Sequence, residues 1–205
     1  MEQELSILIA DLSGYTALTE AHGSETAADL IDQYISHVDE ALVGDCYLHE
    51  RVGDEVMIVS ASADDLAATA ATLLKNLCEK THFLQLHGGL HTGTLLKRNN
   101  SFFGSSLNLA SRIASKASPG SFLCSDIFFN ALSEKYKTSF VPKGKHSFKN
   151  VKNEIELFEF LLHAGEKFFI DPICRMMVKD NGIPHPTNTE VFFCSAECLN
   201  TFINK

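Results

Sequence analysis

The sequence predicts an α+β fold, in which helices pack on a β-sheet, followed by a small module rich in cysteine. Strand-like and helix-like patterns succeed one another through residues 5–162, and three of the six cysteines lie from Cys174 onward. A chain of 205 residues allows one ordinary domain with a small module attached. We therefore divide the chain into residues 1–163 and residues 164–205.

Apolar patterns predict the first elements. Residues 5–10, LSILIA, form a nearly continuous apolar run, which is typical of a strand buried on both faces. A turn, DLSGYT, leads to an amphipathic helix at 25–42, where apolar residues recur every three or four positions. Two short strands near 46–52 and 55–60 are joined by a tight turn. The helix therefore connects the first strand to a hairpin.

The remaining elements complete the predicted sheet. A helix rich in Ala and Leu spans 63–79, and a strand at 86–95 contains three glycines. A helix at 105–117 is closed by the turn SPG, and shorter strands with one further helix reach residue 162. This order predicts a sheet with helices on one face, similar to the βαββαβ arrangement of ferredoxin-like folds.

Composition and charge exclude several classes of protein. With 45% hydrophobic and 21% charged residues, the chain is neither disordered nor collagen-like. Its net charge of −9 lacks the basic footprint of a protein that binds nucleic acid polymers. The sequence has no apolar run near the roughly 18 residues of a membrane span, and its N-terminus is acidic rather than basic. We therefore expect a cytoplasmic protein.

Two aspartates at strand ends are candidate metal ligands. Asp11 ends the first strand, and Asp54 lies in the hairpin turn of RVGDEVM. If the two strands are neighbours, both carboxylates reach one edge of the sheet, where hard oxygen ligands suit Mg²⁺. The backbone N–H groups from Gly14 to Thr16 begin the next helix and are suited to hold a phosphate. The alternative is that Asp11 caps a helix and Asp54 is an ordinary turn residue.

A third segment, FFGSSLNLASRIAS, has two polar residues on one helix face. Asn108 and Arg112 are four residues apart. An amide donor and a guanidinium are suited to charge that develops on a phosphoryl group, and the alternative is a polar surface position. His87 and His91 form the pair of histidines with metal-like spacing, but the glycines around them favour a structural role in a strand.

Taken in order, these segments resemble the class III adenylate and guanylate cyclase catalytic domain over about residues 4–162. ADLSGYTAL is similar to the first metal motif of that family, and ERVGDEVM is similar to the second. GLHTGTL with FFGSSLNLASRIASKASPGSFLCS resembles its transition-state helix and the strand after it, and FKNVKNEIELFEF resembles its closing strands. The resemblance implies an enzyme of signal transduction that converts ATP or GTP into a 3′,5′-cyclic nucleotide and pyrophosphate.

The resemblance also implies roles for individual residues. Asp11, Asp54 and the backbone carbonyl of Leu12 would bind two Mg²⁺ or Mn²⁺ ions, Asn108 would position the ribose, and Arg112 would stabilise charge on the α-phosphate. The family forms its active sites between two domains. A chain with one such domain therefore implies a homodimer with two equivalent sites.

The positions that select the purine in this family are Glu50 and Ser101 here. Adenylate cyclases have Lys where this sequence has Glu50. Guanylate cyclases have Glu, since a carboxylate accepts hydrogen bonds from guanine. Ser101 can donate or accept a hydrogen bond, so the pair leans towards GTP and leaves ATP open.

The last segment contains the patterns D-P-x-C and F-C-S-x-x-C-x-x-x-F, which resemble the YHS domain, a small treble-clef-like metal-binding module, over about residues 168–204. The YHS pattern has Gly where Arg175 stands, and His185 is a candidate fourth ligand. The alternative is a set of reduced structural cysteines without a metal. Three thiolates suit Zn²⁺ or Cu⁺ as a possible regulatory ion, and they belong to Cys174, Cys194 and Cys198.

Two other functions stay open from the sequence. One is a catalytically weak or inactive nucleotide-binding protein, with a cyclase-like fold and a tail that senses a metal ion. The other is a diguanylate cyclase of the GGDEF type, which shares the fold and a Gly-Asp hairpin. Because this sequence has GDEV and the helix with Asn108 and Arg112, we rank the diguanylate cyclase last.

Overall fold

In the computed structural model, the described residues are 1–160, 168–179 and 181–204. The predicted boundary between residues 163 and 164 lies outside them. The strands of the first range are β1 (Glu2–Ser13), β2 (Tyr47–Val52), β3 (Glu55–Ser60), β4 (Gln85–Arg98), β5 (Ser101–Phe103), β6 (Phe122–Ser125), β7 (Phe140–His146) and β8 (Ile155–Phe160). Its helices are α1 (Tyr15–Ala41), α2 (Ala63–Cys78), α3 (Ser105–Ala114), α4 (Asp126–Ala131) and α5 (Glu134–Lys137).

The strands form one mixed sheet in the order β2-β3-β1-β4-β6-β8-β7, with β5 paired to β4. The β4–β6 pair is parallel, whereas β1 pairs antiparallel with both β3 and β4. The first four strands, in the order β2-β3-β1-β4 with α1 after β1 and α2 after β3, have the ferredoxin-like arrangement that the sequence predicted.

Helices cover both faces of this sheet, so the prediction of helices on one face is wrong. Leu8 and Ala10 of β1 pack in the cluster that contains the apolar faces of α1 and α2. Ile7 and Ile9 point the other way and pack with Ala110 of α3. Because side chains alternate across a strand, the continuous apolar run of β1 is explained by helices on both sides.

The glycines of β4 allow α3 to approach the sheet closely. A side-chain Cβ placed on Gly89 would lie 2.6 Å from the carbonyl oxygen of Ala110 and 2.9 Å from the Cα of Ala114, and it would also meet the backbone nitrogen of Ala114. The backbone of α3 therefore occupies the space that any other residue at position 89 would need.

Helix α1 begins ten residues before its predicted start and contains a kink. Its backbone is non-helical at Gly23, where φ is 82° and ψ is 167°. Glycine adopts this conformation without the steric cost that a Cβ imposes. The kink separates a short first segment, which ends at His22, from the longer amphipathic segment that the sequence predicted.

The tail contains β9 (Phe169–Ile170), β10 (Met177–Val178), β11 (Ile183–His185), β12 (Asn188–Phe193) and α6 (Ala196–Ile203). It contacts the N-terminal part through its backbone. His82 donates a backbone hydrogen bond to Met177 at 2.9 Å, and Met177 donates one to Phe83 at 2.7 Å. Across the described residues, no helix combines the length and apolar character that crossing a membrane requires.

Candidate functional site

Asp11 and Asp54 meet at one edge of the sheet, as the sequence predicted for neighbouring strands. Ala10 of β1 pairs with Val56 of β3. This pairing brings the carboxyl groups of Asp11 and Asp54 close enough for each to affect the pKa of the other. Burial and the charge of Asp11 raise the pKa of Asp54 to about 6, and burial raises the pKa of Asp11. Such concentrated negative charge in a half-buried place is what a divalent cation neutralises.

A histidine and a tyrosine flank this pair. The Nε2 atom of His87 is 4.0 Å from an oxygen of Asp11, and its Nδ1 atom is 2.9 Å from the Ser13 hydroxyl. Burial lowers the pKa of His87, which favours its neutral form. The buried Tyr34 hydroxyl donates to the Ala10 carbonyl at 3.4 Å, and burial together with the charge of Asp11 raises the pKa of Tyr34. These contacts hold the end of β1 in place.

The start of α1 follows directly after Asp11 and the buried Leu12. Gly14 is the N-cap residue, with φ 99°, and no side chain caps the helix there. The first N–H groups of a helix lack partners within the helix and carry the positive end of its dipole. Thr16 is exposed in this first turn. The segment from Gly14 to Thr16 is therefore suited to an anionic group, as the sequence predicted.

Glu50 and Asn108 line one cavity of about 200 Å³. Its walls come from β1, from the β2–β3 hairpin and from α3. Glu50 lies on β2 and Asn108 on α3, and both side chains are exposed to the cavity and solvent. Among the described residues, the lining of this cavity does not include Ser101, which is exposed on β5. The structure thus brings Glu50 and Asn108, but not Ser101, together at one cavity.

Arg112 lies one turn after Asn108 on α3. Its Nη1 atom donates a hydrogen bond to the backbone carbonyl of Lys149, in the turn before β8. Asn108 and Arg112 sit on the side of α3 that is not buried, while Leu109 and Ile113 pack inward. The helical period that buries one face of α3 therefore places the amide of Asn108 and the guanidinium of Arg112 together on the opposite face.

The carboxylate pair and the cavity are separate features of one chain. Among the described residues, the cavity lining contains neither Asp11 nor Asp54, although Glu55 beside Asp54 is part of it. Burial and the charge of Asp54 raise the pKa of Glu55. The aspartate pair and the cavity with Asn108 are therefore distinct but neighbouring features, since Ile9 of the lining also lies two residues before Asp11.

A second cluster joins the tail to α1. The Nε2 atom of His22 is 3.4 Å from the sulfur of Cys194 and 3.5 Å from that of Cys198. The sulfur of Cys194 is 3.4 Å from that of Cys174 and 3.7 Å from that of Cys198. The ligand atoms of these four residues all lie within 4.8 Å of one another. The three cysteines that the sequence grouped are together, and their fourth neighbour comes from the other part of the chain.

The proposal of His185 as fourth ligand is wrong, because His22 takes that place. The Nδ1 atom of His185 accepts a hydrogen bond from the backbone of Thr187 at 3.3 Å, and its ring contacts Phe202 edge-on. No sequence spacing indicated His22, which lies 172 positions before Cys194. A neighbour this distant in sequence is identified only from the folded structure.

Asp171 is a further structural residue of the tail, for which the sequence pattern predicts no role. This fully buried carboxylate accepts backbone hydrogen bonds from Ile173 at 2.8 Å, from Cys174 at 3.2 Å and from Cys194 at 2.8 Å. Burial opposes its charge, but the backbone donors of Cys194 and Ile173 outweigh burial and lower the pKa of Asp171. The aspartate of the D-P-x-C pattern therefore ties together two loops that carry cluster cysteines.

The thiols of the cluster affect one another. The hydrogen bond with Cys174 and burial raise the pKa of Cys194 well above its ordinary range, and burial raises the pKa of Cys198 to about 12. Thiols in such a place keep their protons unless a cation replaces them. The donor set thus fits a soft or borderline metal ion.

A family model described as the adenylate and guanylate cyclase catalytic domain matches residues 1–163. The chain belongs to this family. It is 33% identical over 124 residues to an adenylate cyclase of Glutamicibacter nicotianae, a match that covers 60% of this chain and 31% of that protein. It is 26% identical over 161 residues to a pH-sensitive adenylate cyclase of Mycobacterium tuberculosis, covering 76% and 40%. The cyclase chain spans less than half the length of these curated relatives.

Solved structures share the cyclase fold. Adenylate cyclases from Trypanosoma brucei superpose with a TM-score of 0.70 at 18% identity, over 77% of this chain and 87% of theirs. The adenylyl cyclase CyaB from P. aeruginosa gives 0.66 at 19% identity, over 80% and 96%. The guanylyl cyclase Cya2 gives 0.64 at 18% identity, over 78% and 92%. At these identities the likeness concerns the fold.

Proposed function

We propose that this cyclase-family chain converts ATP or GTP into the 3′,5′-cyclic nucleotide and pyrophosphate, in signal transduction. The observation that carries the proposal is the carboxylate pair of Asp11 and Asp54 beside the uncapped start of α1. An acidic pair next to free backbone N–H groups is suited to bind a nucleoside triphosphate together with divalent cations.

Asp11, Asp54 and the backbone carbonyl of Leu12 would hold two Mg²⁺ or Mn²⁺ ions. The donors fit such hard cations, since the two carboxylates repel each other and a cation between them removes that repulsion. When bound, the ions would make the 3′-hydroxyl easier to ionise and would offset the charge of the triphosphate.

In the proposed reaction, the ribose 3′-oxygen forms a bond to the α-phosphorus, and the bond to the pyrophosphate oxygen breaks. The hydroxyl proton passes to water, and pyrophosphate leaves with the electron pair of the broken bond. Asn108 would orient the ribose, and Arg112 would offset the charge that develops on the α-phosphate. The N–H groups from Gly14 to Thr16 would hold phosphate oxygens.

We further propose that two copies of the chain share each site. Within one chain, Asn108 lines a cavity that lacks the aspartate pair. A twofold dimer would place the aspartates of one copy opposite Asn108 and Arg112 of the other, and would do so twice. The exposure of Glu50 and Asn108 at the cavity supports this arrangement, because both are available to a nucleotide held by a second copy.

Complementation between inactive variants tests the shared site. We expect Asp11→Ala and Arg112→Ala each to be inactive when pure. Mixed in equal amounts and allowed to exchange subunits, they should recover about a quarter of wild-type turnover, because half of the dimers are mixed and each holds one intact site. The matched control mixes Asp11→Ala with Asp54→Ala. This mixture should stay inactive, since both changes affect the same half-site, and recovery there or none in the first mixture would contradict the shared site.

Product analysis tests the activity and the base preference. Turnover with ATP and with GTP, in Mg²⁺ or Mn²⁺, is followed by chromatographic separation of the products. The carboxylate of Glu50 in the cavity favours GTP, and we expect Glu50→Lys to shift the ratio of kcat/KM values towards ATP by about tenfold or more. Nucleotide binding without cyclic product from either substrate would instead support the inactive nucleotide-binding protein with a sensing tail.

We also propose that residues 164–205 form the small metal-binding module, of the treble-clef-like YHS type, that their cysteine pattern predicts. The tail supplies three clustered thiols and the buried carboxylate of Asp171 behind them. Metal analysis of the full chain tests this assignment.

A further inference from the structure

The cysteine cluster has the dimensions of a tetrahedral metal site. A tetrahedron with metal–ligand bonds of about 2.3 Å has edges of about 3.8 Å. Of the six ligand–ligand distances, two sulfur–sulfur distances of 3.4 and 3.7 Å and two nitrogen–sulfur distances of 3.4 and 3.5 Å are close to such edges, and the other two are within 4.8 Å. The cluster therefore requires little rearrangement to accept an ion at its centre.

The surroundings of the cluster favour a closed, structural site. Cys174 and Cys198 are buried, whereas His22 and Cys194 are half-buried. Asp171 fixes the backbone of Cys174 and Cys194 from behind. The Ser195 hydroxyl accepts a hydrogen bond from the backbone of Cys198 and begins α6. Four protein ligands with a supporting outer layer are the pattern of structural zinc sites.

We propose that His22 of the cyclase domain and the three tail cysteines form a Cys₃His site for Zn²⁺, which locks the tail onto helix α1. The ligands come from both parts of the chain, so the bound ion would be a crosslink between them rather than a property of the tail alone. The kink at Gly23 ends the first segment of α1 directly after His22.

The same tail loop also touches the start of α1. Arg175, directly after Cys174, has φ 68°, a left-handed conformation that explains why the YHS pattern has Gly there. A Cβ placed on Gly14 would lie 2.7 Å from the Cγ of Arg175, so the arginine stem covers Gly14. The tail thus contacts α1 at Gly14 and at His22, about two helical turns apart.

Zinc would therefore order the first turns of α1, which follow directly after Asp11. Without the ion, the loop of Cys174 and Arg175 loses its fixed point at His22, and the phosphate-holding segment loses the cover over Gly14. We expect zinc removal to lower cyclase turnover. This regulatory step rests on the proposed function, whereas the metal site does not.

Cobalt spectroscopy of the full chain tests the site without any need for activity. The zinc-free protein is titrated with Co²⁺, which should give the intense visible bands of tetrahedral coordination and the ultraviolet charge-transfer bands of three thiolates. Zn²⁺ should displace the cobalt stoichiometrically. We expect His22→Ala to weaken Zn²⁺ binding by about tenfold or more and to change the visible bands.

Two further variants make the result decisive. The matched control His185→Ala, which removes the tail's own histidine, should leave the affinity and the spectrum unchanged. His22→Cys should restore tight binding with the charge-transfer intensity of four thiolates, which separates loss of a ligand from misfolding. Absence of Zn²⁺ binding by the wild-type chain, or equal affinity in His22→Ala, would overturn the proposed site.

Hydrogen exchange and turnover test the crosslink. Zn²⁺ should slow exchange in residues 14–22 by about fivefold or more in the wild-type chain, and should not do so in His22→Ala. A chelator selective for zinc over magnesium should lower wild-type turnover. If Zn²⁺ binds through His22 and slows exchange but no cyclic nucleotide forms under any condition, the metal site stands and the proposed function fails. Turnover that is present and indifferent to zinc would overturn the regulatory step.

Discussion

Replacing Gly89 by alanine should displace the helix that carries Asn108 and Arg112. The added methyl group would lie 2.6 Å from the carbonyl oxygen of Ala110, whereas ordinary contacts begin near 3.4 Å. The atoms that the methyl group meets belong to the backbone of Ala110 and Ala114 in α3, so no side-chain rotation relieves the clash. Helix α3 must therefore move away from β4 by about 1 Å.

The size of the effect follows from this displacement. Overpacking of this kind costs about 1–3 kcal/mol, and the loss of glycine's freedom in the unfolded chain returns about 0.4–1 kcal/mol. We therefore expect Gly89→Ala to lower the free energy of unfolding by about 1–2 kcal/mol. In the proposed reaction this helix carries Asn108 and Arg112, which meet the nucleotide, so a shift of this size should lower turnover by about 10²-fold.

Urea unfolding followed by circular dichroism measures the free energy of unfolding of Gly89→Ala, and a steady-state assay measures its turnover. Gly93→Ala is the matched control on the same strand and the same face. Its methyl group would meet the Ser106 hydroxyl, which can rotate aside, and would lie 3.0 Å from the Ser106 Cβ and 3.3 Å from the His91 Nε2 atom, so that its contacts are with side chains and not with helix backbone. A Gly89→Ala variant that unfolds and turns over like Gly93→Ala would refute the argument that the backbone of α3 fills this space.

Three further outcomes follow from particular contacts. The buried His91 is hydrogen-bonded to the Ser125 hydroxyl, and burial lowers its pKa from 6.5 to about 4. The contribution of the neutral imidazole to stability is therefore complete above pH 6.5 and is lost as the pH falls towards 4. The loss amounts to about 3 kcal/mol, and His91→Gln should flatten that part of the pH–stability curve measured by urea unfolding. Ser62→Ala removes the acceptor for the Asp65 N–H at the start of α2 and should cost about 1 kcal/mol, read as a lower Tm; an unchanged Tm would show that the cap is dispensable. Asp171→Asn replaces one acceptor oxygen by a donor and should lower the free energy of unfolding by about 2–3 kcal/mol, measured by denaturation with a chelator present. A loss of stability seen only when zinc is bound would contradict this role of the carboxylate.

Much of the candidate site was predictable because its residues stand next to regular patterns. Asp11 follows an apolar strand, Asp54 lies in the turn of a hairpin, and Asn108 lies on an amphipathic helix. The pairing of β1 with β3, on which that prediction depended, then brings the two carboxyl groups together. The roles of Glu50 and Ser101 in base selection stay predictions, and the structure places only Glu50 at the cavity.

The prediction of helices on one face failed for an identifiable reason. Apolar residues on both faces of β1 indicated that each side is covered, but not by which element. Ile9 faces α3 and Leu8 faces the cluster of α1 and α2, because the β4–β6 connection carries α3 to the opposite side of the sheet. A periodic pattern reports that a face is buried, whereas the topology of the connections decides its partner.

The sequence by itself determined the apolar strand, the acidic turn, the polar helix face and the group of tail cysteines, because each depends on neighbours within a few positions along the chain. Only the tertiary structure decided that His22 joins those cysteines and that Arg175 covers Gly14. These contacts link positions more than 150 residues apart. Local sequence preferences do not specify such contacts, because they depend on the surface that the packed sheet and helices offer to the tail.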